Sequence, residues 1–113
     1  MKGHHVHAQS GFKGHVTYDP DKGFAISQEY MNEMKWTHQD MTNKQRELFG
    51  ELAKSGRANT LEEHIRIAYE ALIAGGAKPA EARALVEQSL KNLEKQGVKA
   101  PSHVPWKKIN NHE

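Results

Sequence analysis

Two consecutive amphipathic segments with clear start and stop signals constrain the fold of this chain most strongly. The first begins with a capping box formed by Thr60 and Glu63, and it ends at the glycine pair 75–76. The second has Pro79 in its first turn and ends at Gly97. Its apolar stripe recurs at helical spacing and consists of Ala82, Leu85, Val86, Ser89, Leu90 and Leu93. The sequence therefore predicts two adjacent amphipathic helices.

The residues before these helices add two shorter helical segments and a β-rich amino terminus. Ser27 is a candidate cap for a helix in SQEYMNEM, and Thr42 with Gln45 is a candidate capping box for the segment that stops at Gly56. Residues 4–26 alternate weakly between apolar and polar positions and contain turn formers, as in YDPDKGF. We therefore expect an α+β, mostly helical fold, in which a β-hairpin-like segment precedes about four helices.

Composition limits the size of the protein and the kinds of site it can build. A chain of 113 residues, 36% of them hydrophobic, predicts one domain over 1–113 with a modest core and an irregular tail over 98–113. Its apolar runs are too short to cross a bilayer, and histidines stand where a signal peptide needs an apolar stretch. Without cysteine, a metal site has only His, Asp, Glu, Asn and water as ligands. A net charge of +2 permits a polyanionic partner without requiring one.

Three histidines in the window GHHVH raise the question of chemistry. In a regular strand His5 and His7 share one face and form a His-x-His chelating pair, while His4 faces the other way. The simpler interpretation is an incidental histidine-rich terminus. His64 lies at the border of the apolar face of helix 60–74, where it is either a histidine at the edge of the core or a metal ligand.

Three further side chains are candidates on position alone. Asn59 precedes the capping Thr60, so it is either a cap residue or an amide that orients an imidazole by accepting its ring proton. His15 lies in the amino-terminal segment, and His38 precedes a helix beside Trp36. Structural or exposed roles are the simpler interpretation for both histidines.

Four stretches together carry a resemblance to a known family: GHHVHAQSGFKGH, YDPDKGFAISQEYM, WTHQDMTNKQRELFGELAKSG and NTLEEHIRIA. They resemble the HNH/endonuclease VII nuclease toxin domains, also called His-Me finger or ββα-metal nucleases, with GHH, SHH or LHH signatures. Such domains form the C-terminal ends of bacterial polymorphic toxins, among them LXG effectors of type VII secretion and contact-dependent toxins. The resemblance spans nearly the whole chain. It implies a ββα-metal-like core with a helical insertion, and a chain that is the C-terminal fragment of a longer toxin.

The resemblance also implies roles for single residues. His4 is then a metal ligand, His5 the general base that activates water, His64 a second ligand, and Asn59 the amide that orients the base. This use of the histidine doublet conflicts with the His5–His7 chelating pair that strand alternation favours. We follow the family motif and assign the site to the doublet. Compact members place the last histidine close to the doublet, whereas more than fifty residues intervene here. The reserve candidates are therefore His7, His38 and His15, with His38 a contender to replace His64.

The implied activity is a metal-dependent, largely sequence-nonspecific endonuclease toxin that hydrolyses DNA with one divalent cation: zinc, nickel, manganese or magnesium. Lys13, Arg57 and Arg66 are candidate phosphate contacts, with Lys44 and Arg46 as further cations. The expected partners are DNA, or RNA, and a cognate immunity protein. A secreted effector acting in the target-cell cytoplasm is expected. The alternatives are a ribonuclease toxin on the same scaffold and a non-catalytic helical binding module.

Overall fold

The computed structural model describes residues 3–12, 14, 17–19 and 23–105. It confirms the expected α+β, mostly helical architecture, with two short strands near the amino terminus and four α-helices after them. In chain order the elements are β1 (Gly3–His5), a 3₁₀ turn (Gln9–Gly11), β2 (Ala25–Ser27), α1 (Gln28–Met34), α2 (His38–Ser55), α3 (Leu61–Gly75) and α4 (Pro79–Lys95).

The two strands form an antiparallel pair that fixes the orientation of the histidine doublet. His4 is the Cα partner of Ile26, and His5 is the partner of Ala25. Because side chains alternate across a strand, His4 and Ile26 point into the core and the flanking residues remain half-buried. The Val6 backbone N–H donates to the Phe24 carbonyl at 3.4 Å, which continues the pairing one step beyond β1.

The start of α1 follows the sequence prediction, and the start of α2 does not. The Ser27 hydroxyl oxygen accepts the Tyr30 backbone N–H at 3.0 Å, as expected for an N-cap. The proposed capping box of Thr42 and Gln45 is wrong, because α2 already begins at residue 38. The Thr37 backbone N–H donates to the Gly75 carbonyl at 2.8 Å, so a contact with the end of α3 sets where α2 begins.

The predicted bounds of α3 and α4 are confirmed, but only the Thr60 half of the expected capping box is seen, since the Glu63 carboxylate binds Arg57 and Arg66. The Thr60 hydroxyl oxygen accepts the Glu63 N–H at 3.2 Å, and Gly76 takes a left-handed conformation just after α3. Pro79 occupies the first position of α4, where its missing N–H costs no helical hydrogen bond. The Glu81 carboxylate accepts the backbone N–H of Lys78, which precedes the helix, at 2.8 Å.

The core consists of three neighbouring groups of buried side chains. The largest joins β1, β2 and α1 to the helices through residues such as Val6, Ile26, Met31, Met41, Leu72 and Val86. A second group lies between α2 and α3 and contains Leu48, Phe49, Leu52 and Ile67. The third contains Phe12, Leu93 and Val98, so the residues after α4 pack against the chain that follows β1. The amino-terminal segment that carries the histidines is therefore enclosed by helices.

The remaining predictions concern the membrane and the tail. In the part of the chain that the structure describes, no helix is both long and apolar enough to cross a membrane. Residues 98–105 contain only turns, bends and irregular chain, as expected for the tail. Lys13, His15 and residues 106–113 lie outside the described residues.

Candidate functional site

The histidine doublet presents one imidazole to the core and one toward the surface. His4 is only 2% exposed, whereas His5 on the opposite face of β1 is half-buried. The Nε2 atom of His4 is buried and has no hydrogen-bond partner. Buried polar nitrogens are almost always paired, so an unpaired one marks a position where a ligand is to be sought. The doublet therefore combines an enclosed imidazole with an accessible one.

His38 supplies the second imidazole at this position. It is the first residue of α2, and its ring centroid lies 5.3 Å from that of His4, with an angle of 69° between the ring planes. The hydrogen bond from Thr37 to Gly75 fixes the backbone immediately before His38. The doublet together with His38 is called the His4–His38 centre below.

The surroundings of His4 and His5 favour the neutral form of both imidazoles. Burial, followed by the nearby imidazoles of His38 and His5, lowers the pKa of His4 to about 3. Burial also lowers the pKa of His5 below its usual value of 6.5. A neutral imidazole is the form that binds a metal ion or accepts a proton from water.

His64 belongs to a second group of buried side chains. It is 1% exposed, and its Nε2–H donates to the Asn59 side-chain oxygen at 2.7 Å. Its ring packs against Phe49 and Phe12, with centroid separations of 4.9 and 5.4 Å. The Nδ1 atom of His64 is buried without a partner.

His7 completes this second group. Its Nδ1 atom shares a 2.6 Å hydrogen bond with the hydroxyl of Ser89 on α4, and its ring lies edge-on to Phe12. Burial, followed by the neighbouring His64, lowers the pKa of His7 to about 4. Burial lowers the pKa of His64 to about 4 as well, partly offset by Glu63. These residues are called the His7–His64 group below.

The structure thus sorts the predicted site residues into two sets. His4, His5 and His38 come together, and His7, His64 and Asn59 come together elsewhere. Among the described residues, no hydrogen bond or ring contact joins His4 to His64. Asn59 does accept an imidazole N–H, but the imidazole is that of His64 and not that of His5, to which the resemblance assigned it.

Two of the predicted phosphate contacts lie near His64, because they pair with the residue that precedes it in α3. Arg57 and Arg66 both pair with Glu63 on α3, at 3.0 and 2.9 Å. Lys44 pairs with Glu47 at 3.2 Å. These cations are exposed or half-buried and bound to carboxylates, so their charge is partly neutralised before any substrate arrives.

Two residues that contact the buried histidines were not predicted from the sequence. Ser89 was assigned to the apolar stripe of the last helix, but its hydroxyl is a polar partner for His7. The sequence did contain one indication of this role, since Ser89 is the one hydroxyl-bearing residue on the apolar stripe. Gly11 was not singled out, yet a Cβ atom there would lie 2.6 Å from Cε1 of His64, so the imidazole fits only because residue 11 has no side chain.

No family model, no curated protein and no solved structure matches this chain. The chemistry of the site is therefore inferred from its geometry.

The His4–His38 centre fits a divalent ion in the nature of its donors. Within the described ranges, no group of three or more His, Asp or Glu side chains is arranged to hold a metal ion. The two neighbouring imidazoles of His4 and His38 supply nitrogen donors, which suit zinc and nickel. The buried Nε2 of His4 makes no hydrogen bond, so it is available as a ligand. Water and phosphate oxygens would fill the remaining coordination positions.

Proposed function

We propose that the chain is a metal-dependent endonuclease whose centre is formed by His4, His5 and His38. The observation that carries this proposal is the edge-on approach of the His4 and His38 rings at 5.3 Å, next to the half-buried His5. His4 and His38 would hold the ion, which when bound supplies a Lewis acid that offsets charge on the phosphate. His38 takes the place that the resemblance assigned to His64.

His5 is the proposed general base. It is next to His4 in the chain, close enough for the two rings to interact electrostatically, and its half-buried ring can contact a water molecule. Its lowered pKa leaves the ring neutral and able to accept a proton at pH 7. The backbone pairing of His5 with Ala25 restricts the position of the ring.

The biological setting follows from the resemblance and forms part of the proposal. A nuclease of this kind is a toxin, delivered into the cytoplasm of a target cell, with DNA as its substrate. Such an enzyme damages the cell that makes it, which requires an immunity protein that blocks the site.

A plasmid-cleavage assay tests the proposal. Purified protein is incubated with supercoiled plasmid in EDTA, and in parallel with magnesium, manganese, nickel or zinc. We expect cleavage in at least one metal and none in EDTA. Total RNA is included as a second substrate, and its faster hydrolysis would identify a ribonuclease instead.

The decisive variant is His5→Ala, with His103→Ala as a matched control. His5 is half-buried on a strand and His103 is exposed in the tail, so neither change removes a core side chain. Loss of a general base reduces the rate by about 10²–10⁴-fold. Cleavage by His5→Ala at the rate of the wild type, with circular dichroism showing equal helix content, would refute the assignment. A chain that cleaves neither nucleic acid in any metal would instead be the non-catalytic module.

A further inference from the structure

One face of α4 forms a cationic hollow beside the strand that carries His5. Gln88, Lys91, Asn92 and Lys95 follow one another at positions i, i+3, i+4 and i+7, which places them on a single helix face. Together with Phe24 they line a hollow of about 320 Å³. Among the described residues its lining contains two amines and no carboxylate. This surface is called the Phe24 hollow below.

Both walls of the Phe24 hollow are connected to the proposed centre. The Phe24 carbonyl accepts the Val6 N–H, and the next residue, Ala25, is the Cα partner of His5. On the other wall, α4 is tied to the same segment by the hydrogen bond between Ser89 and His7. The hollow therefore lies near β1, because its lining residue Phe24 pairs with Val6, the second residue after His4 and the first after His5.

The charge of the hollow is available to a ligand. Lys91 and Lys95 are exposed, and the structure pairs neither of them with a carboxylate among the residues it describes. Arg57 and Arg66, by contrast, share Glu63. Two amines without carboxylate partners attract an anion more strongly than a cation that is already bound to a carboxylate.

We propose that the Phe24 hollow binds the phosphodiester backbone of the substrate strand beside the cleavage position, which makes it a substrate subsite of the proposed nuclease and rests on that function. Lys91 and Lys95 would contact successive phosphates, because side chains four residues apart on a helix have Cβ atoms about 5–6 Å apart and lysine is a flexible point charge. The half-buried Phe24 offers an apolar floor on which a sugar or an unpaired base lies.

A binding assay without catalysis tests the subsite. A fluorescein-labelled single-stranded DNA of twelve nucleotides is titrated with the full chain in EDTA, and fluorescence anisotropy is recorded over a series of salt concentrations. The test variant is Lys91→Gln/Lys95→Gln. The control is Lys54→Gln/Lys99→Gln, which removes the same charge from exposed positions outside the hollow.

The expected result is a change in the salt dependence that only the test variant shows. The slope of log K against log salt is negative, and each lost phosphate contact on a single strand makes it shallower by about 0.7, so the double variant should make it shallower by about 1.4. The control should retain the slope of the wild type. Equal losses in both variants, an unchanged slope in the test variant, or a wild type that does not bind would each overturn the subsite.

The result separates the subsite from the proposed function. Binding that depends on Lys91 and Lys95 in a protein that cleaves no nucleic acid would support the hollow and refute the nuclease. Cleavage, together with binding that is unchanged in Lys91→Gln/Lys95→Gln, would support the nuclease and refute the proposal that the Phe24 hollow binds the substrate.

Discussion

Lowering the pH should destabilise this protein, because the His7–His64 group is buried in its neutral form. His7 and His64 each have a pKa of about 4 in the fold, against 6.5 for a free imidazole. A depressed pKa means that the unfolded chain binds protons more readily. The stability contributed by each neutral imidazole is therefore complete above pH 6.5 and is lost as the pH falls toward 4.

The size of the effect follows from these pKa values. At pH 5.5 the unfolded imidazole is mostly protonated and the folded one is not, which costs about 1 kcal/mol of stability for each residue. The two together should lower the free energy of unfolding by roughly 2–3 kcal/mol between pH 7.5 and 5.5. His4, with a pKa of about 3, adds to the loss in the same direction. A small domain has a total stability of about 5–15 kcal/mol, so the loss is large enough to measure.

Urea unfolding at the two pH values, in EDTA and monitored by circular dichroism, measures the loss. The double variant His7→Asn/His64→Gln retains a polar group at the position of each hydrogen-bonded ring nitrogen and removes both titrating rings. It should lose at least 2 kcal/mol less than the wild type over the same interval. The exposed His103→Gln is the matched control and should behave as the wild type. A free energy of unfolding that is independent of pH in the wild type, or an equal loss in the double variant, would refute the reasoning.

Three further predictions concern the packing around the same group and are read from urea midpoints at pH 7.5. Gly11→Ala places a Cβ atom 2.6 Å from Cε1 of His64, and this overpacking should cost about 1–3 kcal/mol. Gly50→Ala is its control, because nothing lies within 4 Å of a Cβ atom at that position in α2. It should stabilise the protein by about 0.5–1 kcal/mol. A destabilising effect of Gly50→Ala would contradict the helix assignment. Asn59→Ala leaves the Nε2–H of His64 unpaired and should cost about 1–3 kcal/mol, and a neutral result would show that Asn59 does not hold the ring.

The local parts of the fold could be predicted from the sequence, and the start of α2 could not. The caps at Ser27 and Thr60 each depend on a hydrogen bond to a residue three positions away, so their signal lies within one window. Thr37 is the N-cap although its side chain makes no capping hydrogen bond, and its backbone N–H instead donates to the Gly75 carbonyl far along the chain. Local patterns do not contain that contact.

The candidate site shows the same division. Residue types and spacing identified His4, His5, His7, His38 and His64 as candidates, but their grouping depends on which helix packs against which side of β1. The contact of His4 with His38 spans 34 positions, and that of His7 with Ser89 spans 82. Ser89 was assigned to the core because its position on the stripe was visible, whereas its distant hydrogen-bond partner was not.

The metal-dependent rate of plasmid cleavage in two variants, His38→Ala and His64→Gln, tests the central claim most directly. His64→Gln retains an amide donor for Asn59, so it spares the core while removing the imidazole. If His4 and His38 hold the ion, His38→Ala loses cleavage by at least tenfold and His64→Gln keeps the rate of the wild type. The opposite order, with His64→Gln inactive and His38→Ala active, would contradict the His4–His38 centre.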